Sequence, residues 1–335
     1  MHQFSHHTCR TDLGSSSRVQ YLWQEHIPRE AVKHPFLMHG VLALSALHIA
    51  CTNPAKAEKY TQLCDKHQTI ALASYRDILS HITEDVANAV FALSTILSFS
   101  SMARATLEAS RMAEPQFISL KDVCELLHLN KGTREVNLAA GDAIARGPFS
   151  AMLYGHRMAS NVRATLTDAL QDVFADLESM VNEFCTNSEH LELCMGALVS
   201  LHDVYANILF FYNKGKLENG QVWRWTALIP QEFVKLIQTE YPPALVITAH
   251  FTIASLLTRQ SWYVSAWGKL AFEGICMALK GRLGEYMIWP REEIASDNAS
   301  FKHGPAISRT SENKDTDDSL FIGGTPRSNL SPHFL

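Results

Sequence analysis

No two of the seven cysteines, Cys9, Cys51, Cys64, Cys124, Cys185, Cys194 and Cys276, stand two residues apart. The CxxC knuckle that structural zinc sites usually require is therefore missing. An odd number, placed mostly in apolar helix-like stretches, predicts free thiols of a reducing compartment. Positive charge is not in surplus either: 29 Lys and Arg face 34 Asp and Glu, a formal net charge of -5. That balance argues against broad, sequence-independent nucleic-acid binding, which needs a dense cationic surface to displace counterions. Residues 1–20 carry no apolar run of the signal-peptide kind, so secretion is not expected. The long uncharged runs, Val86–Ala103 and Tyr241–Thr258, are interrupted by Asn88, Thr95 and four serines in one and by Pro242, Pro243 and His250 in the other. A spanning helix wants about 20 predominantly apolar residues, so both runs read as buried helices and no membrane span is expected.

Catalytic signatures are missing as well. There is no GxSxG elbow, no GxxxxGK[ST] phosphate loop, no GxGxxG and no HExxH. His202 and Asp203 are adjacent and point apart on a helix. His34, His39, His48, His67 and His250 each lie in or at the end of an apolar helix, where a single imidazole is more often a satisfied core or cap residue than a ligand. His2, His6, His7 and Cys9 fall in a short polar segment with nothing to preorganise a metal site. The sequence therefore predicts no enzyme, no metal and no cofactor.

What is present is helical periodicity, nearly from end to end. Leu37, Val41, Leu44, His48 and Cys51 recur at three- and four-residue steps, behind Pro35 as a first-turn proline, and Asn53-Pro54 breaks the chain. A long segment from Ala55 to about Ile82 follows. Glu84–Arg104 is strongly apolar, with Val90, Leu93, Leu97 and Ser101 on one face. Beyond Pro115 a helical piece over Ile118–Leu129 is expected to stop and restart at Asn130-Lys131-Gly132, and Gly147-Pro148 breaks the chain again. Thr165–Phe184 and Glu189–Phe211 are amphipathic, and Ala244–Leu257 and Ser261–Arg282 are apolar. No alternating strand pattern occurs. The fold class expected is all-α, with residues 1–20 disordered, one helical domain over 21–295, and a disordered tail over 296–335. Thirteen of the last 40 residues are Ser, Pro or Gly, too little apolar surface to offset chain entropy.

The order of certain residues resembles a known family. Leu22-Trp23-Gln24 with Ile27-Pro28, His34-Pro35-Phe36-Leu37-Met38-His39-Gly40, and Leu42-Ala43-Leu44-Ser45-Ala46-Leu47-His48-Ile49-Ala50 form the first block. Tyr60, His67-Gln68, Ala71-Leu72, Ala89–Ser94, Gly147-Pro148, Trp225 and Pro230-Gln231-Glu232-Phe233 continue it. Pro243-Ala244-Leu245-Val246-Ile247, Ala249-His250-Phe251, Trp262, Trp267-Gly268 and Ile288-Trp289-Pro290 close it. Together they resemble the C-terminal regulatory domain of fungal zinc-cluster transcription factors, in the branch of the sterol uptake control proteins.

The resemblance implies an all-helical, nuclear regulatory module that binds a sterol-like hydrophobic molecule in an apolar pocket and forms a homodimer or joins a partner transcription factor. It leaves open a link to a specialised-metabolite gene cluster. Phe251, Trp262 and Trp267 are the residues expected to line such a pocket, set against a second reading as ordinary core aromatics. Family members carry a six-cysteine zinc cluster and a basic linker ahead of this domain. The residues before Tyr21 offer one cysteine, Cys9, and two arginines, Arg10 and Arg18. On that ground direct DNA binding is not assigned, and the chain is read as a truncated reading frame or as a regulator acting through a partner. Two alternatives stand beside it: a cytoplasmic stand-alone lipid- or terpenoid-binding protein, and a biosynthetic enzyme on the same scaffold.

Overall fold

A helix that is apolar all round has to be buried all round, and this rule sets the centre of the molecule. The computed structural model describes residues 1–296 apart from 12, 15, 151 and 153–164. Among them no strand occurs, and the architecture is all-α. The helices are α1 (His2–His6), α2 (Ser17–Tyr21), α3 (Ile27–Lys33), α4 (Pro35–Thr52), α5 (Ala57–Leu79), α6 (Glu84–Ala109) and α7 (Leu120–Arg146). They continue with α8 (Asp168–Phe184), α9 (Ser188–Asn213), α10 (Asn219–Val222), α11 (Arg224–Leu228) and α12 (Gln231–Gln238). The last are α13 (Pro242–Ser255), α14 (Trp267–Leu279) and α15 (Ile288–Ala295).

Helices α6 and α13 are the two central rods. From Ala89 to Ser98 every residue of α6 is buried, and so is every residue of α13 from Pro243 to Ser255. Val90, Leu93 and Leu97 of the expected face are thus part of a stretch buried all round, while Ser101 beyond it is half-buried. Around them lie amphipathic helices. Helix α5 buries Ala57, Cys64, Ala71 and Tyr75 against α4 and turns its other side to water. Helix α8 buries Leu170, Phe174, Leu177, Met180 and Val181. Polar caps set where several helices begin. The side chains of Ser119, Thr167 and Asn187 accept hydrogen bonds from backbone N–H groups in the first turns of α7, α8 and α9.

Among the described residues three helices, α4, α6 and α9, are long and apolar enough to cross a membrane by length and composition alone. The fold buries 61%, 72% and 56% of their apolar windows, so most of that surface is covered by neighbouring helices. The second of the uncharged runs noted above holds α13 and the turn after it, which meet the preceding α12 at 104°.

Two expectations need correcting. The stop at Asn130-Lys131-Gly132 does not occur: α7 runs unbroken from Leu120 to Arg146. Gly132 is exposed, and a glycine there costs only about 1 kcal/mol of helix propensity. Burial of Leu126 and Leu127 before it and of Val136 and Ala140 after it outweighs that cost. Residues 1–20 are not wholly disordered either. Helix α1 and a 3-10 turn over Thr8–Arg10 lie against α4, with Phe4, Thr8, Cys9 and Leu13 buried. Thr8 Oγ1 is hydrogen-bonded to His48 Nδ1 at 3.0 Å. A local reading misses this because the segment is polar on average and its few apolar residues find their partners 30 to 40 positions away. Apart from Ser296, the tail expected over 296–335 lies outside the described residues.

Candidate functional site

A cleft of about 370 Å³ opens where α6, α7 and the α10–α11 segment meet Leu13, Gly14 and Val19. That volume lies in the range typical of small-molecule sites. Helix α6 supplies the floor. Phe91, Thr95, Ser98, Phe99 and Met102 recur at three- and four-residue steps and so share a face. Helix α7 supplies Asn130, Thr133, Arg134 and Asn137 at the same spacing, a polar counterpart across the cleft. Trp223, Arg224, Ala227 and Leu228 close a third side. The uninterrupted course of α7 matters here, because a break at Gly132 would have parted Asn130 from Asn137.

Aromatic packing and buried hydrogen bonds hold the wall in place. Phe99 and Tyr263 stack at 4.0 Å between centroids with their planes 20° apart. The Tyr263 hydroxyl accepts from Asn219 Nδ2 at 2.8 Å, and the same amide donates to Ser261 Oγ at 2.9 Å. Trp223 Nε1–H donates to Thr258 Oγ1 at 3.2 Å. Asn130 Nδ2 donates to Thr226 Oγ1 at 2.8 Å, tying α7 to α11. Asn137 Oδ1 is buried and has no hydrogen-bond partner among the described residues. An apolar chamber with a few fixed polar groups suits a largely apolar ligand with one polar end.

None of the three residues expected to line a pocket lines this cleft; each stands one layer behind it. Phe251, on α13, is fully buried, stacked on Trp225 at 4.9 Å and set edge-on to Trp223 at 5.5 Å. Trp267, opening α14, is buried edge-on to Trp223 at 5.1 Å. Trp262 is half-buried against the His48 ring at 4.6 Å and edge-on to Tyr263 at 6.0 Å. The rings that reach the cleft are their neighbours, Trp223, Tyr263 and Phe99. Sequence reasoning passed over these, and over Arg224. The available signal was the Trp-Arg-Trp triplet at 223–225, a charge set between two large rings in an otherwise apolar region.

The remaining candidates carry little chemistry. The seven cysteines are all free, and burial raises the thiol pKa of Cys51 and Cys124 to about 12, which keeps them protonated and unreactive. His250 is fully enclosed. Desolvation lowers its pKa to about 4, although the hydrogen bond from Nδ1 to the Val246 carbonyl at 2.9 Å acts in the opposite direction. Among the described residues no three His, Cys, Asp or Glu side chains are grouped as a metal site.

No family model matches this chain. Individual proteins do. Over 224 residues, 65% of the chain, it is 25% identical to Sterol uptake control protein 2 of Saccharomyces cerevisiae. Over 110 residues, 33% of the chain, it is 32% identical to Sterol uptake control protein 2 of Candida albicans. Over 145 residues, 43% of the chain, it is 29% identical to the Zn(2)-C6 fungal-type transcription factor afumD of Aspergillus fumigatus. The matched stretches span 23%, 15% and 37% of those proteins' own lengths. All three are fungal proteins, two named as sterol uptake control proteins and one as a transcription factor.

Proposed function

We propose that this chain is a ligand-sensing regulatory domain of a fungal transcription factor, and that the cleft between α6, α7 and the α10–α11 segment receives a hydrophobic small molecule of sterol-like character. The observation that carries this reading is the similarity over 224 residues to a sterol uptake control protein. The cleft gives it a physical mechanism. A ligand lying on Phe91, Phe99 and Met102 and touching Asn130 and Asn137 bridges α6 to α7, and through Trp223 and Arg224 reaches α10 and α11. Binding to an arrangement that brings these elements together stabilises that arrangement over looser ones, by an amount set by the differential affinity. In the cell the expected setting is the nucleus, with a second copy or another transcription factor as partner.

The test is a reporter assay with the full chain joined to a heterologous DNA-binding domain in a fungal host whose sterol supply can be varied. Reporter output that tracks sterol supply supports the proposal. Output independent of sterol and lipid supply, together with unchanged transcript levels after deletion of the gene, would sink it. A purified chain that carries a bound lipid yet stays wholly cytosolic would favour a lipid-binding protein without a transcriptional role.

A further inference from the structure

One group in the cleft does not fit a purely neutral ligand. Arg224 lines it from the first turn of α11, half-buried, and among the described residues makes no hydrogen bond or ion pair. Burial pushes its guanidinium pKa down; Asp203 pulls it back up only in part. A guanidinium held partly out of water without an acceptor is costly, because its hydration is lost and nothing replaces it. The other charges on the cleft are already engaged. Glu218 forms the capping box of α10, its carboxylate accepting from the Gln221 backbone. Arg134 has its side chain 43% exposed and its Nη1 3.4 Å from Glu135 Oε1. Among the described residues, the groups on the lining without a bonded partner are therefore a cation, Arg224, and an amide oxygen, Asn137 Oδ1.

We propose that the cleft selects an amphiphile with a carboxylate head, an acid-bearing lipid or terpenoid, whose head pairs with Arg224 while its apolar body lies on Phe91, Phe99, Met102 and Trp223. The planar guanidinium matches a carboxylate through two parallel N–H···O bonds, which a hydroxyl cannot accept in the same way. The proposal rests on the ligand-sensing reading above and narrows it, since a neutral sterol gives the guanidinium no carboxylate to bond, and Asp203 acts on it only from beyond ion-pair distance.

The experiment compares two probes on the purified full-length chain by fluorescence titration: 11-(dansylamino)undecanoic acid and its methyl ester, identical except for the head charge. The acid is expected to bind the native chain about tenfold more tightly, equivalent to ~1.4 kcal/mol. Arg224→Gln should bring the acid to the affinity of the ester and leave the ester unmoved, while Arg224→Lys should keep part of the preference. Equal binding of acid and ester by the native chain overturns the proposal, and this comparison does not depend on any variant folding. A preference that survives Arg224→Gln overturns it too, as does failure of both probes to bind. Sterol-dependent reporter output is a separate measurement, so the selectivity of the head group and the sensing role can fail independently.

Discussion

Trp225 is fully buried, stacked on Phe251, and its Nε1–H donates to the Ala197 carbonyl at 2.9 Å. Two residues earlier Trp223 is half-buried, faces the cleft, and is held by a single bond to Thr258. Both sit on one short helical stretch, yet one ring belongs to the core and the other to a surface that can accept a ligand. Residues two apart on a helix lie on different sides of it, so a segment docked between a core and a cleft has to divide its rings between them. The difference teaches that large aromatics in this chain do not mark the ligand surface by type. They line the cleft only where the backbone that carries them turns the ring that way.

If this division is right, the two sides respond differently to change. The largest effect is expected at Trp225→Ala, which leaves a cavity behind α13 and should cost about 3–5 kcal/mol in urea unfolding. A comparable loss at Trp223→Ala would break the comparison, since a half-buried ring has less to lose.

Next comes acid. His250, beside Phe251 in the core, has its pKa lowered to about 4. In the unfolded chain the imidazole titrates near its ordinary value, so between pH 6.5 and 4 the unfolded state binds a proton that the native state refuses. Its contribution to stability is complete above that window and falls by about 1.4 kcal/mol per pH unit as pH drops through it. Burial lowers the pKa of His48 too, so it adds in the same direction. His250→Asn should flatten the profile measured by denaturation at stepped pH; an unchanged slope would remove His250 from this account.

A smaller effect is expected at Gly274 on α14, where an added Cβ would stand 1.9 Å from the Ile118 carbonyl oxygen. The neighbour is backbone, and Ile118 N–H already donates to the Leu270 carbonyl at 2.9 Å, so neither side can give easily. Gly274→Ala should lower stability by about 1–3 kcal/mol, read as a shift in thermal midpoint, without touching probe affinity. Trp223→Phe is expected to do least to stability, about 1 kcal/mol for the lost bond to Thr258, while weakening probe binding. A variant that lost stability but kept full affinity would place Trp223 with the core after all.

Much of the helical framework is legible in the sequence. Pro35, Asn53-Pro54, Gly147-Pro148 and Pro242-Pro243 stand at helix boundaries because proline's fixed φ and missing N–H act locally. Where an outcome depended on neighbours, legibility failed. The interior of α7 looked like a break because Asn, Lys and Gly are weak helix formers together, and only burial on both sides carries the helix through. Phe4 and Thr8 looked solvated because their partners on α4 are distant in sequence. Phe251, Trp262 and Trp267 stay open to a pocket and a core reading because their type suits both equally well.

The sequence by itself determined an all-helical chain, the positions of most helix ends, and the likeness to sterol uptake control proteins. Periodicity and cap chemistry are properties of neighbouring residues and need no third dimension. Only the tertiary structure decided that Phe99, Trp223 and Tyr263 face the cleft while Trp225, Phe251 and Trp267 fill the core, and that Arg224 stands among the former with no bonded acceptor among the described residues. Periodicity says which residues share a face; what that face meets is settled by the packing of helices far apart in the chain.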